Sequence, residues 1–321
     1  MTEILKPDLN DVREAHARIK PHIHRTPVLT SHSLDEIAGA KLFFKCENFQ
    51  VTGSFKMRGA TNAVFSLTDE EAKKGVVTPS SGNHGAALAR AARSRGMKAW
   101  IIMPDNSPMV KRRAVEAYGG EITLCEPTMQ SRQETAARVQ ARTGAILIHP
   151  YDNDSIIAGQ ATAALELLEE VPDLDVIIAP VSGGGLLSGT CISSKGMRPQ
   201  IRVVGAEPKN ADDAFQSLRD GHIVTVAHPD TIADGLRATL APRTFAILRR
   251  LVDEISTVTE KEIVASMRLL WERLKIIVEP SGAVSAAPAL NRRIHAEGKR
   301  IGIILSGGNV DLDALPFTKN L

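Results

Sequence analysis

The sequence predicts an α/β protein with two open, mostly parallel sheets in two lobes and a cleft between them. Short apolar runs alternate with stretches of helical periodicity along most of the chain, and several of these runs end in turns rich in glycine or serine. The chain has 321 residues, of which 43% are hydrophobic and 24% are charged, so it can bury the cores of two lobes.

The middle of the chain predicts a smaller lobe, residues 76–152, inserted into a larger lobe that is built from residues 1–75 and 153–321. GVVTPSSGNHGAALARAARSRG is typical of a strand, a polar turn and a helix that ends near Gly96. The next strand segments are KAWIIMP, EITLCE and AILIHP, with the helical segments PMVKRRAVEAYGG and SRQETAARVQARTG between them. This order indicates a parallel sheet covered by helices.

The second half of the chain continues the same alternation. SIIAGQATAALELLEEV predicts a helix, and DVIIAPVSGGGLLSG predicts a strand, a glycine loop and a helix. IRVVGAEP predicts another strand, residues 231–280 are predicted to be mostly helical, and RIGIILSGGNVDL ends the sheet with a buried strand and a turn. Because ligands of open α/β sheets bind at the carboxyl ends of strands, we expect the site where these turns meet.

Charge and cysteine content exclude several classes of function. The formal net charge is +2 and no block of like charges occurs, which favours a small-molecule substrate over nucleic acid or a membrane surface. Cys46, Cys125 and Cys191 are far apart and lack CxxC spacing, so we interpret them as reduced packing residues. The charged N-terminus and the absence of a run of about 18 apolar residues favour a cytoplasmic protein.

The loop SGGGLLSG, Ser182 to Gly189, follows a predicted strand and precedes a predicted helix. Glycines allow consecutive main-chain N–H groups to point inward, and the helix N-terminus adds positive potential, so the loop suits a phosphate group. It lacks both the lysine of a Walker A loop and the GxGxxG spacing of a dinucleotide fold. A tight structural turn is the alternative.

Lys56 lies in TGSFKMRGA, where small neighbours allow a close approach of the main chain: Gly53, Ser54, Gly59 and Ala60. Phe55 supplies an apolar wall beside it. A partly desolvated amine has a lowered pKa and can form a Schiff base with an aldehyde. A solvated surface lysine is the alternative, but an activated lysine together with a phosphate loop indicates pyridoxal 5′-phosphate.

Three further turns carry polar groups. SSGNHG, Ser80 to Gly85, could bind a substrate carboxylate, although it could equally be a helix cap, with His84 a packing residue. In SGGN, Ser306 could face a ring nitrogen or simply end a strand. EPKNADDA offers Glu207, Asp213 and the Ala211 carbonyl to a hard divalent cation such as Mg²⁺, Mn²⁺ or Ca²⁺, or it is a solvated acidic turn.

Taken together, TGSFKMRGA, SSGNHG, SGGGLLSG and SGGNVDL resemble the fold type II pyridoxal phosphate enzymes, which have a tryptophan synthase β-like fold. The similarity runs from about residue 10 to residue 313 and is strongest to the branch of serine racemase, serine/threonine dehydratases and 3-hydroxyaspartate dehydratases. That resemblance implies a homodimer. Family members commonly begin the phosphate loop with four glycines, whereas this chain has Ser182 in place of the first.

The resemblance assigns a role to each matching residue. Lys56 would hold the cofactor as a Schiff base, Phe55 would pack on its ring, Asn83 would bond its 3-oxygen and Ser306 would face its pyridine nitrogen. The phosphate would be held by Ser182, Gly183, Gly184, Gly185 and Leu186. Substrate would be bound by Ser80, Ser81, Asn83, His84 and Arg132, with Ser81 catalysing proton transfer on the face opposite Lys56. Glu207, Ala211 and Asp213 resemble the divalent cation site of the racemase branch.

The activity implied is the elimination of water from a small β-hydroxy amino acid, serine, threonine or 3-hydroxyaspartate, to give a 2-oxo acid and ammonia. Racemisation of serine in the same site is the alternative, because both reactions begin with removal of the α-proton. A third possible function is that of a β-replacement synthase, which has the same fold and cofactor. A fourth is that of a catalytically silent ligand-binding relative, which would retain the fold without the reaction.

Overall fold

The computed structural model describes residues 6–80, 82–107 and 109–318, and its larger sheet has six strands. In spatial order, with strands numbered along the chain, they are β1 (Val28–Leu29), β2 (Lys41–Cys46), β10 (Arg300–Leu305), β7 (Val176–Pro180), β8 (Arg202–Pro208) and β9 (Glu254–Val258). β1 pairs with β2 in the antiparallel sense, and all other neighbours are parallel.

The second sheet has four parallel strands. Their spatial order is β5 (Glu121–Cys125), β4 (Ala99–Pro104), β3 (Val76–Thr78) and β6 (Ile146–Leu147). All four strands come from the segment that the sequence assigned to the smaller lobe. Two sheets with parallel pairing confirm the predicted α/β fold class, while the lobe boundaries at residues 76 and 152 stay a proposal.

Helices cover both sheets. They are α1 (Leu9–Ile19), α2 (His32–Ala38), α3 (Lys56–Phe65), α4 (Asp69–Lys74), α5 (Asn83–Ser94), α6 (Met109–Ala117), α7 (Met129–Thr143), α8 (Asp154–Glu170), α9 (Gly185–Met197), α10 (Asp213–Asp220), α11 (Pro242–Leu251), α12 (Glu260–Leu274), α13 (Pro280–Ala283) and α14 (Ala287–Leu290). Seven of the fourteen in the described ranges were predicted: α5, α6, α7, α8, α9, α11 and α12. Just beyond α5, Gly96 has a φ of 71°, the left-handed conformation expected after a helix end. Within the described ranges, no helix combines the length and apolarity that a bilayer crossing requires.

The prediction for residues 231–280 overlooked a strand. β9 interrupts this region between α11 and α12 and extends the large sheet by pairing with β8. Its sequence, EISTV, contains the β-branched residues Ile255, Thr257 and Val258, which favour a strand. The run is only five residues long, and the helical periodicity on both sides conceals it.

Two glycines bring α3 and α8 into main-chain contact. A Cβ atom added to Gly159 would lie 2.6 Å from the Cα atom of Gly59, and one added to Gly59 would lie 2.9 Å from the Ile156 carbonyl oxygen. Any larger residue at either position would push the helices apart. Since α3 begins at Lys56, this contact fixes where that lysine stands.

A buried ionic cluster, which was not predicted from the sequence, holds α3 in place. It consists of Lys45, Glu47, Arg58 and Glu166, all at most 1% exposed. Lys45 Nζ donates to Glu166 Oε2 at 2.7 Å, and Arg58 donates to both carboxylates. Although burial opposes its charge, the hydrogen bond from His16 and the Arg58 charge hold the pKa of Glu166 below its usual range.

Apolar packing ties the same helix to the small sheet. Met57, Ala60 and Val64 of α3 share one buried cluster with Val76 of β3 and Ile101 of β4. The helix that carries Lys56 therefore packs on the small sheet although it precedes residue 76. The three cysteines are buried and free of disulfides, as their spacing predicted.

Candidate active site

A cavity of about 700 Å³ opens between the two sheets. All four glycine or serine turns singled out in the sequence contribute to its wall. The predicted site residues that line it are Phe55, Lys56, Ser80, Asn83, His84, Arg132, Ser182, Gly183, Gly184, Gly185, Leu186 and Ser306. Ser81, the predicted opposite-face catalyst, lies outside the described residues.

Lys56 stands at the start of α3 and is only partly exposed. Its Nζ atom donates a hydrogen bond to the Pro150 carbonyl oxygen at 3.0 Å and lies 5.1 Å from the centre of the Phe55 ring. Burial lowers the pKa of Lys56 to about 8, which leaves a sizeable neutral fraction near neutral pH. The structure thus places this amine in the cavity wall and not on an open surface.

The glycine loop forms a cradle before α9. Ser182 has a φ of 54° and Gly184 a φ of 85°, so the chain turns through left-handed conformations just before the helix begins at Gly185. A Cβ atom on Gly183 would lie 2.5 Å from the Tyr151 ring. The loop therefore keeps its main chain bare beside an aromatic wall and a helix N-terminus, an arrangement that fits a phosphate.

The structure shows features of Ser182 and Tyr151 that the sequence did not predict. The positive φ at Ser182 explains why glycine suits the first loop position, since a side chain there is strained. The Ser182 hydroxyl compensates by accepting a hydrogen bond from the Ala238 N–H at 3.4 Å. Tyr151 follows β6 in the segment HPYDN, and nothing in that segment distinguishes it from an ordinary loop residue.

Asn83 begins α5, and its amide is held on two sides. Its Nδ2 donates to Glu279 Oε1 at 2.9 Å, and its Oδ1 accepts from Asn309 Nδ2 at 2.9 Å. Burial, and to a lesser extent the charge of Asp234, raise the pKa of Glu279 to about 8. Glu279 was not identified from the sequence, because it lies 196 residues away from Asn83 in a region that was predicted only as mostly helical.

His84 is 2% exposed, and its Nε2 lies 3.3 Å from the Ile148 carbonyl oxygen. Its Nδ1 has no hydrogen-bond partner within the described part of the chain. Burial, assisted by the nearby charge of Lys56, lowers the pKa of His84 to about 3, so the ring is neutral. This geometry suits a packing histidine whose main chain, and not whose charge, faces the cavity.

Ser306 forms part of the cavity wall beside the loop that leads into Lys56. It is 2% exposed and follows β10 directly. Its carbonyl oxygen accepts a hydrogen bond from the Phe55 N–H at 3.0 Å, and Ser54 pairs with Gly307 in an isolated antiparallel bridge. The loop before Lys56 and the turn at Ser306 are therefore joined by main-chain hydrogen bonds, which fixes the spacing of the two predicted cofactor contacts.

Arg132 reaches the cavity from α7. Its Nε is buried and has no hydrogen-bond partner among the residues that the structure describes. A buried guanidinium nitrogen without a partner is costly unless a ligand satisfies it, and carboxylates fit the guanidinium fork. The guanidinium of Arg132 can therefore bind a second carboxylate of a substrate by donating hydrogen bonds to it.

The predicted cation ligands lie together at the end of β8 but outside the cavity wall. Both Glu207 and Asp213 are buried, and the Asp213 Oδ2 has no hydrogen-bond partner among the described residues. Burial, together with the charge of Asp213, raises the pKa of Glu207 well above its usual range. Burial also raises the pKa of Asp213 to about 7. Neither carboxyl forms an ion pair within the described part of the chain, which fits a divalent cation, although the described residues hold no group of three or more His, Cys, Asp or Glu arranged around one.

A lysine of lowered pKa, a phosphate cradle and a polar ring of side chains around one cavity define an enzyme that uses an aldehyde cofactor. A family model described as "Pyridoxal-phosphate dependent enzyme" matches residues 19–307. This chain belongs to the pyridoxal-phosphate-dependent enzyme family. The cradle and the Lys56 amine fit this cofactor, as the loop and lysine motifs predicted.

Similar proteins place the chain within one branch of that family. It is 52% identical over 313 residues to serine racemase of Oryza sativa subsp. indica, covering 96% of this chain and 92% of that protein. It is 50% identical over 311 residues to β-hydroxyaspartate dehydratase of Paracoccus denitrificans (strain Pd 1222), covering 97% of this chain and 99% of that protein. The structure of maize serine racemase superposes with a TM-score of 0.94 and 51% identity, covering 95% of this chain and 94% of that chain.

These relatives confirm the predicted fold type and the racemase and dehydratase branch. The expectation of an enzyme is confirmed with them, and that of a silent binding protein is set aside.

Proposed function

We propose that this enzyme eliminates water from a small β-hydroxy amino acid and releases the corresponding 2-oxo acid and ammonia. The observation that carries the proposal is the Lys56 amine, which stands in the cavity wall with a pKa lowered to about 8 by burial. Such an amine can both attach an aldehyde and take up a proton near neutral pH. The resemblance to β-hydroxyaspartate dehydratase supports the same reaction class.

Pyridoxal phosphate, when bound, supplies the electron sink that makes the α-proton of an amino acid acidic. The main chain of Gly183 and Gly185 and the N-terminus of α9 would hold its phosphate. Asn83 would bond the 3-oxygen, Phe55 would pack on the ring, and Ser306 would face the ring nitrogen. A serine hydroxyl does not keep that nitrogen protonated as a carboxylate would, so the ring withdraws electrons less strongly.

The directions of the pKa shifts indicate which side chains of the site can accept a proton from substrate. Lys56 Nζ, when neutral, accepts the α-proton, and the aromatic wall of Phe55 keeps the amine poorly solvated. His84 is neutral and weakly basic, so it is unsuited to act as the base. The substrate α-carboxylate would instead meet the main-chain N–H groups at the start of α5, together with the hydroxyls of Ser80 and Ser81.

Arg132 favours a dicarboxylic substrate within this class. Arg132 lines the cavity, its Nε has no hydrogen-bond partner among the described residues, and a β-carboxylate such as that of 3-hydroxyaspartate would pair with its guanidinium. Serine and threonine would leave the guanidinium unsatisfied. We therefore propose that 3-hydroxyaspartate is a better substrate than either of them.

Racemisation is a second activity that the same residues can support, and the 52% identity to a serine racemase favours it. Ser81 would return a proton to the face opposite Lys56. Elimination and racemisation share proton removal at the α-carbon, so a difference of about 1.4 kcal/mol between later barriers changes their ratio tenfold. Ser81→Ala is expected to impair racemisation far more than elimination from an L-substrate. Equal loss of both activities would contradict a dedicated proton donor at Ser81.

A divalent cation such as Mg²⁺, Mn²⁺ or Ca²⁺ would bind Glu207, Asp213 and the Ala211 carbonyl oxygen, with water completing the shell. Support comes from the two buried carboxyls and from the unpartnered Asp213 Oδ2. Burial, followed by the charges of Asp152 and Asp213, raises the pKa of Tyr151, which contacts the phosphate loop. Since Glu207, Ala211 and Asp213 do not line the cavity, a cation here would not touch substrate.

We also propose a cytoplasmic homodimer, as the family resemblance implies. Phe49 and Ile277 are 45% and 47% exposed. Ile277 and Asn48, the residue before Phe49, both lie close to Gly308, so the two apolar side chains belong to neighbouring segments. A second copy could cover these apolar side chains. Light scattering after size exclusion tests the assembly, and Ile277→Asp should weaken it.

The proposed reaction is tested by measuring 2-oxo acid and ammonia from L-serine, L-threonine and the diastereomers of 3-hydroxyaspartate, with and without Mg²⁺. We expect equal amounts of the two products, with the highest kcat/KM for a 3-hydroxyaspartate. Arg132→Lys should lower kcat/KM for that substrate more than for serine. Release of neither product, combined with incorporation of added sulfide into a new amino acid, would show a β-replacement synthase instead.

A further inference from the structure

A chain of three side chains connects a main-chain carbonyl to the cavity. Asn309 Nδ2 donates to the Thr52 carbonyl oxygen and to Asn83 Oδ1, both at 2.9 Å, and Asn83 Nδ2 donates to Glu279 Oε1 at 2.9 Å. The carbonyl at Thr52 can only accept. The amide of Asn309 must therefore turn its NH₂ group toward Thr52 and Asn83.

The orientation of the Asn309 amide in turn fixes the orientation of the Asn83 amide. Because Asn309 presents hydrogens, Asn83 must present its oxygen to Asn309 and its NH₂ group to Glu279. One hydrogen of that NH₂ group goes to Glu279, and the other is left for the cavity, where Asn83 is part of the wall. The Glu279 carboxyl thus decides where the free N–H of Asn83 points.

The setting of Glu279 is unusual for a residue just before a helix. It precedes α13 but makes no capping hydrogen bond with its side chain, which instead lies against Gly307. A Cβ atom on Gly307 would lie 2.4 Å from Glu279 Oε1. The carboxyl is therefore wedged between the turn that contains Ser306 and the start of α5, and the residue is 5% exposed.

Two charged groups near the cavity act on this carboxyl from other elements. Asp234 raises its pKa and Lys111 lowers it, and these two residues form an ion pair with each other across the cleft. Asn83 also lowers the pKa by its hydrogen bond, but burial outweighs both lowering effects. The carboxyl is therefore neutral over much of the physiological pH range.

We propose that Glu279 is a positioning residue for the cofactor: acting through Asn83, it aims the free amide N–H at the 3-oxygen of pyridoxal phosphate, and its own proton makes the cofactor spectrum sensitive to pH. The inference rests on the proposed placement of Asn83 at the 3-oxygen. A neutral Glu279 allows a negative 3-oxygen beside the Asn83 N–H. An ionised Glu279 adds negative charge on the same side and favours a protonated 3-oxygen.

The test uses the absorbance of the holoenzyme without substrate. In the wild type, the ratio of the two cofactor bands should change as pH rises through about 8, the pKa of Glu279. Glu279→Gln keeps the acceptor for Asn83 but cannot ionise, so its band ratio should stay at the wild-type low-pH value. An unchanged titration in Glu279→Gln would overturn the pH coupling.

Neighbouring charges provide a second check on which group titrates. Asp234→Asn should move the wild-type midpoint to lower pH, and Lys111→Met should move it to higher pH, because these residues shift the pKa of Glu279 in opposite directions. If neither variant moves the midpoint, the titrating group is not Glu279. Circular dichroism confirms that each variant is folded.

Positioning itself is tested by cofactor affinity. Glu279→Ala removes the anchor of Asn83 and should raise the cofactor Kd about tenfold, as expected for one lost hydrogen bond in a buried site, while Glu279→Gln should restore it. Wild-type affinity in Glu279→Ala would overturn the positioning role. Asn83→Ala separates the two claims: an unaltered spectrum there would refute the placement of Asn83, whereas failure of the dehydration assay would leave these spectral results intact.

Discussion

Arg58 donates two hydrogen bonds to the Glu47 carboxylate, from Nε to Oε2 at 2.7 Å and from Nη2 to Oε1 at 2.8 Å. Both residues are fully buried, and Arg58 lies only two positions after Lys56 on α3. The same guanidinium also reaches Glu166 on α8 at 2.9 and 2.8 Å. This buried contact holds the first turn of α3 against α8 and against the turn that follows β2, and so positions the Lys56 amine.

Arg58→Ala should destabilise the protein strongly. Removing one partner leaves the Glu47 and Glu166 carboxylates buried without their cation, a change that costs about 3–5 kcal/mol in free energy of unfolding. Denaturant unfolding measures this loss. Arg58→Lys, the matched control, keeps the charge but loses the bidentate geometry and should lose less. Loss below about 1 kcal/mol in Arg58→Ala would contradict a structural role for the cluster.

Lys56 should capture the cofactor with a pH profile set by its own amine. Below the pKa of about 8 the amine is protonated and cannot attack an aldehyde, so the rate of capture by the apoenzyme should fall about tenfold per pH unit. Above that pH the rate should level off. Stopped-flow absorbance follows the reaction, and Lys56→Ala should show neither the new band nor turnover. A rate that still rises toward pH 10.5, the ordinary value of a lysine, would contradict the lowered pKa.

Gly183→Ala should close the phosphate cradle. The added Cβ would lie 2.5 Å from the Tyr151 ring, closer than real carbon contacts, so the loop or the ring must move. We expect at least a tenfold increase in cofactor Kd, measured by titrating the apoenzyme. Combining the change with Tyr151→Ala removes the clashing ring and should recover part of the affinity. Unchanged affinity in the single variant would place the phosphate elsewhere.

Mg²⁺ should stabilise the protein through Glu207 and Asp213. A ligand that binds only the folded state adds about 2.7 kcal/mol at 100 times its Kd, which is visible as a rise in Tm. Glu207→Gln should abolish the rise. Asp212→Asn is the matched control, because Asp212 is less buried than its neighbour and bonds to Gln216, and this variant should retain the rise. A rise that survives in Glu207→Gln would mean that the cation binds at another place.

Local sequence signals predicted a large part of the fold. The alternation of apolar runs and helical periodicity identified every strand of the small sheet, and the Gly96 signal marked the end of α5. β9 was missed because a five-residue strand between two helices carries too short a pattern. Its place at the sheet edge depends on pairing with β8, a contact that no local pattern records.

Some residues of the candidate site were likewise predicted from local sequence signals, and others were not. Lys56, Ser182 and Ser306 were found because glycine and serine turns after strands are visible as motifs. Glu279 and Tyr151 were not found, since each gains its role from a partner distant in sequence: Asn83 for one and the Gly183 loop for the other.

The sequence by itself determined the alternating α/β pattern, the glycine loop proposed for the phosphate and the lysine proposed to hold the cofactor, because each depends on the conformational preferences of adjacent residues. Only the tertiary structure decided the pKa of Lys56 and of Glu279, the wall at Tyr151 and the buried cluster around Arg58. The physical reason is that desolvation and hydrogen bonding between distant segments arise only when the sheets and helices pack together.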